Sequence, residues 1–505
     1  MKFLVVVLYV LVVLAIAIYS MRKNTNVDEF FLGGRSLGPW VSAFAYGTTY
    51  FSAVVFIGYA GKTGWGFGLS SLWIVLGNAF FGTMLAWLVL AKPTRQLTVR
   101  LNALTMPEFL VARFASPFLK TVSALIIFLF LVPYSASVYM GLTYLFEEIF
   151  QIPFNYALFF IAALTGLYLV LGGYRAVALT DFFQGIIMII GAILLVFYVV
   201  KDSHVGGLAQ GIARLKELDP QLVQAVGPGG FTALASLVIL TSLGAWGLPQ
   251  MVQKFYSIKN ERSIKPAVIV STVFSFVIAF GAYFTGVFGR LFFNNKMPTL
   301  GGVANPDLIM PQIISLALPE WVGVLILMLI LAASMSTLAS LVLVSSSAIA
   351  MDLLKGSILP DLDKKKAVTL MRVLCAVFIA LSVYIALRPT FIMTLMALSW
   401  GTIAGSFLAP YLYGLFWRGT TKAGAWAGLL TGFGISVIFP IIYRMNSGVI
   451  PTIGSAAMIV PLFIVPLVSL FTPAFSEEHL QKVYGTPSER TYGFKPKRQL
   501  GSEEI

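Results

Sequence analysis

The chain has 505 residues, of which 58% are hydrophobic and only 11% are charged, whereas soluble domains carry about 25% charged residues. This composition excludes a soluble enzyme and predicts an integral membrane protein. The net charge of +14 does not indicate a nucleic-acid partner, because most basic residues fall on one side of the predicted spans. That side is predicted to be the cytoplasm, and the lipid bilayer is the expected partner of these residues.

Apolar runs of about 20 residues predict thirteen spans of the plasma membrane, with the N-terminus outside and the C-terminus in the cytoplasm. The first run is interpreted as a retained helix, with signal-peptide cleavage after its "AIA" as the alternative. Thirteen spans suit a ten-helix core with one extra helix before it and two after it. The predicted spans are 2–20, 39–60, 69–91, 121–146, 154–171, 181–200, 231–253, 267–289, 322–349, 373–387, 391–416, 423–443 and 450–471.

Two predicted spans are interrupted by residues that weaken helices. Span 2 reads "AFAYGTTYFSAVVFIGYAG" around Gly47, and span 7 reads "TSLGAWGLPQMVQKF" with Gly244, Gly247 and Pro249. Five spans separate the breaks, so spans 2–6 and 7–11 form two units of opposite orientation. Backbone groups freed at membrane depth must face protein or a water-filled cavity. The paired breaks therefore predict one central binding site.

This symmetry divides the chain into five parts, with long external loops at 202–230 and 290–321. In the second loop, "GGVANPDLIMP" predicts a lid helix over the outer side of the site. The parts are an extra helix with the first cytoplasmic loop (1–38), the first repeat (39–200), the second repeat (231–417), two extra helices (418–472) and a cytoplasmic tail (473–505).

Span 9 carries many hydroxyl groups, in the stretch "AASMSTLAS". Ala333, Ser336, Thr337 and Ser340 share one helix face by their i, i+3, i+4, i+7 spacing, whereas Ser334 points elsewhere. Small residues of this kind commonly serve close helix packing. The alternative is cation coordination, for which hydroxyls and freed carbonyls supply the oxygens.

The break in span 2 frees carbonyl groups near Thr48 and Phe51, across from these hydroxyls. Proton coupling normally needs a titratable group within the membrane, and the predicted spans hold almost none besides Asp181. Neutral oxygens bind Na+ but carry no proton. The sequence therefore favours Na+ over H+, with Asp181 as the residue that supports the alternative.

Four motifs, in the same order, resemble the sodium/solute symporter family across residues 25–420. The resemblance is nearest to its bacterial sodium/pantothenate and sodium/proline members. It implies an all-α, LeuT-like fold of two inverted five-helix repeats. It also implies Na+-driven uptake, by alternating access, of a small organic solute: an organic acid, a vitamin such as pantothenate, or an amino acid. The motifs are "GGRSLGP" (33–39), "NALTMPEF" (102–109), "LGGYRAVALTDFFQG" (171–185) and "AASMSTLAS" (332–340).

The resemblance further implies the ligands of the transported ion. Thr48, Phe51 and Ala333 would supply backbone carbonyl oxygens, and Ser336 and Thr337 would supply hydroxyl oxygens. These are the residues that the first break and the hydroxyl-bearing helix face bring together. Na+ is the one ion that the sequence predicts to be bound.

Some relatives hold a second sodium at positions that match Asp181 and Ser340. Here Ala339 stands where a further hydroxyl is expected. We therefore predict one Na+ per transport cycle, with Asp181 and Ser340 forming a weak second site or lining the ion's exit path.

The solute is predicted to bind beside the ion, between the two breaks. Ser52 and Ala53 follow the first break, and Trp246 and Pro249 lie in the second. Tyr134 matches a tyrosine that contacts substrate in the family. Aromatic residues in spans are more often packing residues. The assignment of Tyr134 and Trp246 to the solute site therefore depends on their position and the resemblance together.

Two departures from the family argue against proline as the solute. Proline-type members have an acidic residue where this chain has Tyr50, and a tyrosine where it has Ala245. No Arg or Lys is predicted near the bilayer centre. An anionic solute would then bind backbone N–H groups, the positive end of a half-helix, or the Na+ itself.

Other functions remain open at this level. A Na+/proline-type symporter is the main alternative, followed by a proton-coupled symporter and a channel. A membrane enzyme is disfavoured, because His204 and His479 lie in a loop and the tail without metal-ligand spacing. Cys375 is the single cysteine, so no intrachain disulfide forms. The sequence gives no indication of oligomeric state.

Overall fold

The computed structural model describes residues 2–21, 35–358, 364–388 and 390–485. Within these ranges nearly all residues are helical, and the named strands form one short hairpin. Most of the predicted first cytoplasmic loop, with Arg22 and Lys23, lies outside the described residues. The tail beyond residue 485, with its predicted basic cluster, lies outside them as well.

The first half of the chain provides eight α-helices. π-helical turns at Val54–Tyr59 and Gly77–Leu85 and a 3-10 turn at Gly68–Ser71 join some of them. The helices are α1 Lys2–Met21, α2 Pro39–Tyr50, α3 Ala60–Phe67, α4 Leu72–Leu76, α5 Ala86–Arg100, α6 Met106–Phe114, α7 Pro117–Phe150 and α8 Phe154–Lys201.

The second half provides twelve further α-helices and a hairpin. A π-helical segment, Ala348–Ile358, extends α15. The elements are α9 Leu208–Leu218, α10 Phe231–Gly247, α11 Pro249–Tyr256, α12 Ile264–Val287, α13 Gly289–Phe292, β1 Thr299–Leu300, β2 Val303–Ala304, α14 Ile309–Ala317, α15 Glu320–Ser347, α16 Lys364–Ala386, α17 Ile392–Phe416, α18 Lys422–Ile442, α19 Ile450–Leu470 and α20 Glu477–Tyr484.

The structure does not confirm the exact count of thirteen predicted spans. Within the described residues, nine helices are long and apolar enough to cross a membrane, or ten if α10 and α11 count as one bent span. Several predicted spans are joined, because the helix continues where the sequence pattern predicts a loop. Val54–Arg100 forms one helical run, and α8 includes both predicted spans 154–171 and 181–200.

Both predicted breaks are present. After α2, Phe51 is extended, and helical structure resumes at Ala53. Between α10 and α11, Leu248 is extended, and the two helices meet at a bend of 45°. Pro249 starts α11, where its missing N–H has no helical partner to lose.

The core centres on α15, in which every residue from Ile326 to Ser347 is buried. This helix packs most extensively on α8 and also contacts α2 and α7. Helices α18 and α19 pack against α17 and expose many large apolar side chains, such as Phe463 and Phe471. Exposed apolar surface of this extent fits contact with lipid.

Glycines bring the two halves of the core close together. A Cβ atom on Gly64 of α3 would lie 2.0 Å from the carbonyl oxygen of Gly286 in α12. One on Gly286 would lie 2.0 Å from the carbonyl oxygen of Ala60. The backbones of α3 and α12 therefore touch, and no larger residue fits at this crossing.

The predicted lid helix begins later in the chain than the sequence indicates. Leu300 and Val303 pair in the hairpin, so the "GG" of the predicted helix forms the hairpin turn. A 3-10 turn at Pro306–Leu308 and then α14 follow. Helix α14 contacts α3, where Gly61 lies directly against Ile309.

Candidate functional site

The first break opens the hydrogen-bond ladder of α2 inside the protein. The Phe51 N–H still donates to the Gly47 carbonyl at 3.2 Å. The Ala53 N–H donates to the side chain of Ser334 on α15, at 3.1 Å. A helix that ends in this way leaves carbonyls of its last turn without helical donors.

The Thr337 hydroxyl of α15 fills part of this gap. Its Oγ1 lies 3.3 Å from the Thr48 carbonyl oxygen, 3.2 Å from that of Thr49 and 3.0 Å from that of Ala333. A threonine hydroxyl has a single hydrogen to donate. Three carbonyl oxygens therefore converge on one donor. The site has more uncharged acceptors than donor hydrogens to satisfy them.

A second contact joins the same two helices. Ser336 Oγ donates to Thr48 Oγ1 at 2.9 Å, and Thr48 Oγ1 donates to the Phe44 carbonyl at 2.8 Å. Asp181 of α8 lies near enough to interact with Ser336 and Thr48. It is fully buried, and neither carboxylate oxygen accepts a hydrogen bond. The structure thus brings an unsatisfied carboxylate to the edge of the oxygen cluster.

The cluster extends along α15 toward the second break. Ser340 Oγ lies 3.1 Å from Thr49 Oγ1, and it accepts a hydrogen bond from Lys254 Nζ at 3.0 Å. Lys254 is fully buried in α11. The distribution of basic residues predicts that Lys254 belongs to a cytoplasmic cluster, and its burial contradicts that placement. Helix α11 continues beyond the break and carries Lys254 back into the core.

All five residues predicted to bind the ion lie at this junction and are fully buried. Thr48 lies in the last turn of α2 and Phe51 directly follows that helix, while Ala333, Ser336 and Thr337 face it from α15. Phe51 has extended dihedral angles (φ −108°, ψ 119°) and lies outside the helix.

Aromatic side chains surround the residues that follow the break. The Trp400 ring of α17 stacks on Tyr50 with a centroid distance of 6.1 Å and meets Tyr134 of α7 edge-on at 5.8 Å. Tyr134 lies close to Ser52. Ala53 packs directly against Gly141, where a Cβ would approach it to 3.0 Å. Ser52, Ala53 and Tyr134 therefore share one uncharged, aromatic environment.

The two remaining residues predicted to contact solute have other contacts. Trp246 Nε1 donates to the Phe81 carbonyl at 2.9 Å. Pro249 lines a small cavity together with Gln253 and Asp352. The structure therefore does not bring Pro249 to the aromatic cluster.

Sequence reasoning missed residues that the tertiary fold brings to the site. Tyr50 donates to the Thr241 carbonyl at 2.6 Å and lies 3.3 Å from the Asn78 side chain. Trp400 comes from α17, far along the chain. Asn78 stands out in the sequence as an amide in an otherwise apolar span, but no sequence pattern paired it with Tyr50.

The site is closed to solvent in this structure. Its residues are buried, and Trp246 is 8% exposed. At the end predicted to face outward, Asp307 accepts a hydrogen bond from the Ile392 N–H at the start of α17, at 3.0 Å. At the other end, Asp352 accepts from Thr105 at 2.8 Å and pairs with Lys120 at 3.5 Å.

Two discontinuous helices around buried uncharged oxygens, within a bundle of long apolar helices, define a LeuT-like secondary transporter. Its fold is similar to that of a Na+-coupled sialic acid symporter in a substrate-bound, outward-open state. The TM-score is 0.75 at 18% identity, and the match covers 94% of this chain and 98% of that one. The predicted fold class is confirmed.

The chain belongs to the sodium:solute symporter family, which matches residues 30–432. It is 33% identical over 437 residues to the sodium/proline symporter of Haemophilus influenzae. The alignment covers 84% of this chain and 85% of the relative. It is 31% identical over 429 residues to the osmoregulated proline transporter OpuE of Bacillus subtilis, covering 84% and 86%. The protein is a Na+-coupled solute transporter and not an enzyme, as predicted.

Proposed function

We propose that the protein takes up one small organic solute together with one Na+ across the plasma membrane, by alternating access. The observation that carries this proposal is the Thr337 hydroxyl, whose single hydrogen faces three carbonyl oxygens. A bare monovalent cation satisfies several such oxygens at once. The ion would bind the carbonyls of Thr48, Phe51 and Ala333 and the hydroxyls of Ser336 and Thr337.

The solute is proposed to bind between the Tyr134 and Trp400 rings and the first break. This region offers aromatic faces and neutral polar groups. The half-helix that begins at Ala53 has little to offer a carboxylate, because the Ala53 N–H is bonded to Ser334 and the Val54 N–H to Ser52. A carboxylate would therefore be balanced by the adjacent Na+, which couples the two ligands directly.

These contacts favour an organic acid, a vitamin such as pantothenate, or an amino acid. Proline is the specific second candidate, because the named relatives are proline transporters at 31–33% identity. Tyr50 argues against it, since its ring and hydroxyl fill the break where proline-type members have a carboxylate. The Tyr50 hydroxyl is already held by the Thr241 carbonyl.

In the proposed cycle, Na+ joins α2 to α15 and completes the solute site. Solute binding then allows an occluded form, and inward opening separates α15 from α2 so that the ion leaves. One charge entering the cell gains about 2.3 kcal/mol per 100 mV of membrane potential. The N-terminus is proposed to lie outside, in keeping with the distribution of basic residues.

The ion site is tested by Thr337→Val and Ser336→Ala in proteoliposomes. Each removes one proposed ligand, and we expect the Na+ concentration for half-maximal uptake to rise roughly tenfold, which corresponds to about 1.4 kcal/mol. Ser347→Ala is the matched control, because the Ser347 hydroxyl on the same helix bonds only to the Val344 carbonyl. Unchanged Na+ dependence in both test variants would leave helix packing as the role of these hydroxyls.

The solute is identified by thermal-shift screening of carboxylates, vitamins and amino acids in Na+ and in K+. A transported solute should stabilise the protein far more in Na+, because both ligands favour one conformation. Stabilisation by proline alone would select the second candidate. Uptake driven by a pH gradient without Na+ would contradict the proposed coupling.

A further inference from the structure

Backbone carbonyl groups around the proposed solute site are already bonded to donors of the protein. The Tyr50 hydroxyl donates to the Thr241 carbonyl at 2.6 Å, and Trp246 Nε1 donates to the Phe81 carbonyl at 2.9 Å. These acceptors are therefore not available to a ligand without breaking a buried hydrogen bond. Two further carbonyls are taken in the same way, that of Gly82 by Tyr46 and that of Phe130 by Ser399.

Hydrogen-bond donors in the same region are left over. Among the described residues, Trp400 Nε1 and the hydroxyls of Tyr59 and Tyr283 are buried without a hydrogen-bond partner. An indole N–H can donate but not accept. A buried donor without a partner is destabilising, so each such group needs an explanation. A ligand that carries acceptors would satisfy all three.

Trp400 lies where a solute would meet its N–H group. The six-membered part of its ring packs on α10, since a Cβ on Gly244 would lie 2.7 Å from Trp400 Cε3. The opposite edge of the indole, which carries Nε1, therefore points away from α10. The same ring stacks on Tyr50 and meets Tyr134 edge-on. The unpartnered donor thus belongs to the aromatic cluster beside the first break.

The two tyrosines come from helices that cross next to this cluster. Tyr59 ends the π-helical turn that follows the first break, and Tyr283 lies on α12. A Cβ on Gly286, one turn after Tyr283, would lie 2.0 Å from the carbonyl oxygen of Ala60. Helix α12 also contacts the π-helical turn itself. Both hydroxyl-bearing side chains therefore start from one helix crossing at the border of the proposed solute site.

An ammonium group would be poorly bound in these surroundings. It donates three hydrogen bonds and accepts none, whereas the carbonyls are taken and the leftover groups are donors. The Tyr59 and Tyr283 hydroxyls can accept a bond but carry no charge. Aromatic faces attract cations, but a Na+ at the first break would repel a second positive charge. The site therefore disfavours a zwitterionic amino acid.

We infer that the solute is a carboxylate with neutral acceptor groups and no ammonium group, as in a hydroxy acid or an N-acylated amino acid. Its carboxylate would lie beside the Na+. Its hydroxyl or amide oxygens would accept from Trp400 Nε1 and from the Tyr59 and Tyr283 hydroxyls. This inference rests on the proposed function, because it assumes that the solute binds between Trp400, Tyr134 and the first break.

The test compares matched solutes on the purified protein in Na+. The pairs are lactate with alanine, glycerate with serine, and N-acetylproline with proline, so the ammonium group is replaced in one member of each. We expect thermal stabilisation by the hydroxy or N-acetylated members, and roughly tenfold or weaker binding of the amino acids. Equal or stronger binding of the amino acids would overturn the inference and leave the proposed Na+ coupling intact.

Trp400→Phe removes the indole donor and keeps an aromatic ring. We expect the preferred solute to bind roughly tenfold more weakly, while Na+ binding without solute stays unchanged. Trp87→Phe is the matched control, because Trp87 Nε1 is also buried without a partner, but its ring packs on Tyr46 and Phe255. Solute affinity equal to that of the wild type in both variants would overturn the role of Trp400. Tyr283→Phe gives the same comparison if Trp400→Phe does not yield folded protein.

Asn78→Asp adds a charged acceptor of nearly the same shape. The Asn78 side-chain oxygen accepts from Tyr50 at 3.3 Å and from Ser242 at 3.4 Å. We expect this variant to bind free amino acids better than the wild type does, because an ammonium group then finds a carboxylate. An unchanged order of solutes would overturn the inference. Failure of every solute to stabilise the wild type in Na+ would instead refute the proposed function.

Discussion

The two broken helices at the centre of this protein are stabilised in different ways. At the first break, the backbone after α2 is held by side-chain hydroxyls of α15: Ser334 accepts from the Ala53 N–H, and Thr337 contacts three carbonyl oxygens. At the second break, the chain is held by close packing. A Cβ atom on Gly247 would lie 2.9 Å from the Ala404 Cα.

Because of this difference, the first break is suited to ligand binding and the second to structural support. Hydroxyl contacts can be exchanged for contacts with an ion, so the structure of the first break can respond to Na+ binding. The packing of α10 on α17 leaves no room for such exchange, and it fixes the position from which α11 carries Lys254 to Ser340. Helix α17 is common to both regions, since Trp400 stacks on Tyr50 and also packs against Gly244.

The largest effect is expected at the second break, from Gly247→Ala. The added methyl group would meet the Ala404 backbone at 2.9–3.0 Å, and overpacking of this kind costs about 1–3 kcal/mol. We expect a lower melting temperature in both Na+ and K+. The control is Gly323→Ala on α15, where no atom lies within 4 Å of the new Cβ. Equal stability of the two variants would contradict a close-packed second break.

A smaller effect is expected at the first break, from Ser334→Ala. This change removes the acceptor of the buried Ala53 N–H, which should cost about 1 kcal/mol of stability. Ser345→Ala is the control, since the Ser345 hydroxyl is buried on the same helix without a hydrogen-bond partner. If both variants melted at the same temperature, the hydroxyl contacts would not be what stabilises the first break.

A pH-dependent effect is expected at Asp307, which accepts a hydrogen bond from the Ile392 N–H at the start of α17. Burial raises the pKa of Asp307 to about 7, although the Ile392 N–H and the Lys62 ammonium act in the opposite direction. The folded protein thus binds this proton more tightly than the unfolded chain, whose pKa is near the ordinary 3.8. Stability from this group is present in acid and is lost as the pH rises through about 7.

Thermal unfolding at pH 5 and pH 8 tests this prediction. The wild type should melt at a higher temperature at pH 5, where Asp307 is protonated, than at pH 8, where it is ionised. Asp307→Asn should reduce that difference. The charged and titratable groups near Asp307 are Lys62 of α3 and Tyr144 of α7. An unaltered pH difference in Asp307→Asn would assign it to another group.

The breaks and the hydroxyl-bearing face could be predicted, because each depends on residues close together in sequence. Gly47 lies one turn before the first break and Pro249 begins the helix after the second, and the spacing of Ser336 and Thr337 places both on one face. The ends of the helices could not be predicted in the same way. Continuous helices such as α8 run through positions where glycine and polar residues suggest a loop.

Contacts between distant segments could not be read from the sequence. Lys254 follows the predicted end of span 7 by one residue, so the distribution of charge assigned it to the cytoplasmic surface. Its burial depends on the 45° bend that turns α11 into the bundle. Tyr50, Trp400 and Asn78 come from three separate segments, and only the tertiary fold brings them together.

The most direct test of the ion site is a density map of the purified protein in Na+ at a resolution that shows bound ions. The account predicts a density peak at coordinating distance from the Thr48 and Ala333 carbonyls and the Thr337 hydroxyl, absent in Thr337→Val. A map with no peak there, in which α2 and α15 remain in direct hydrogen-bond contact while Na+ is bound elsewhere, would contradict it.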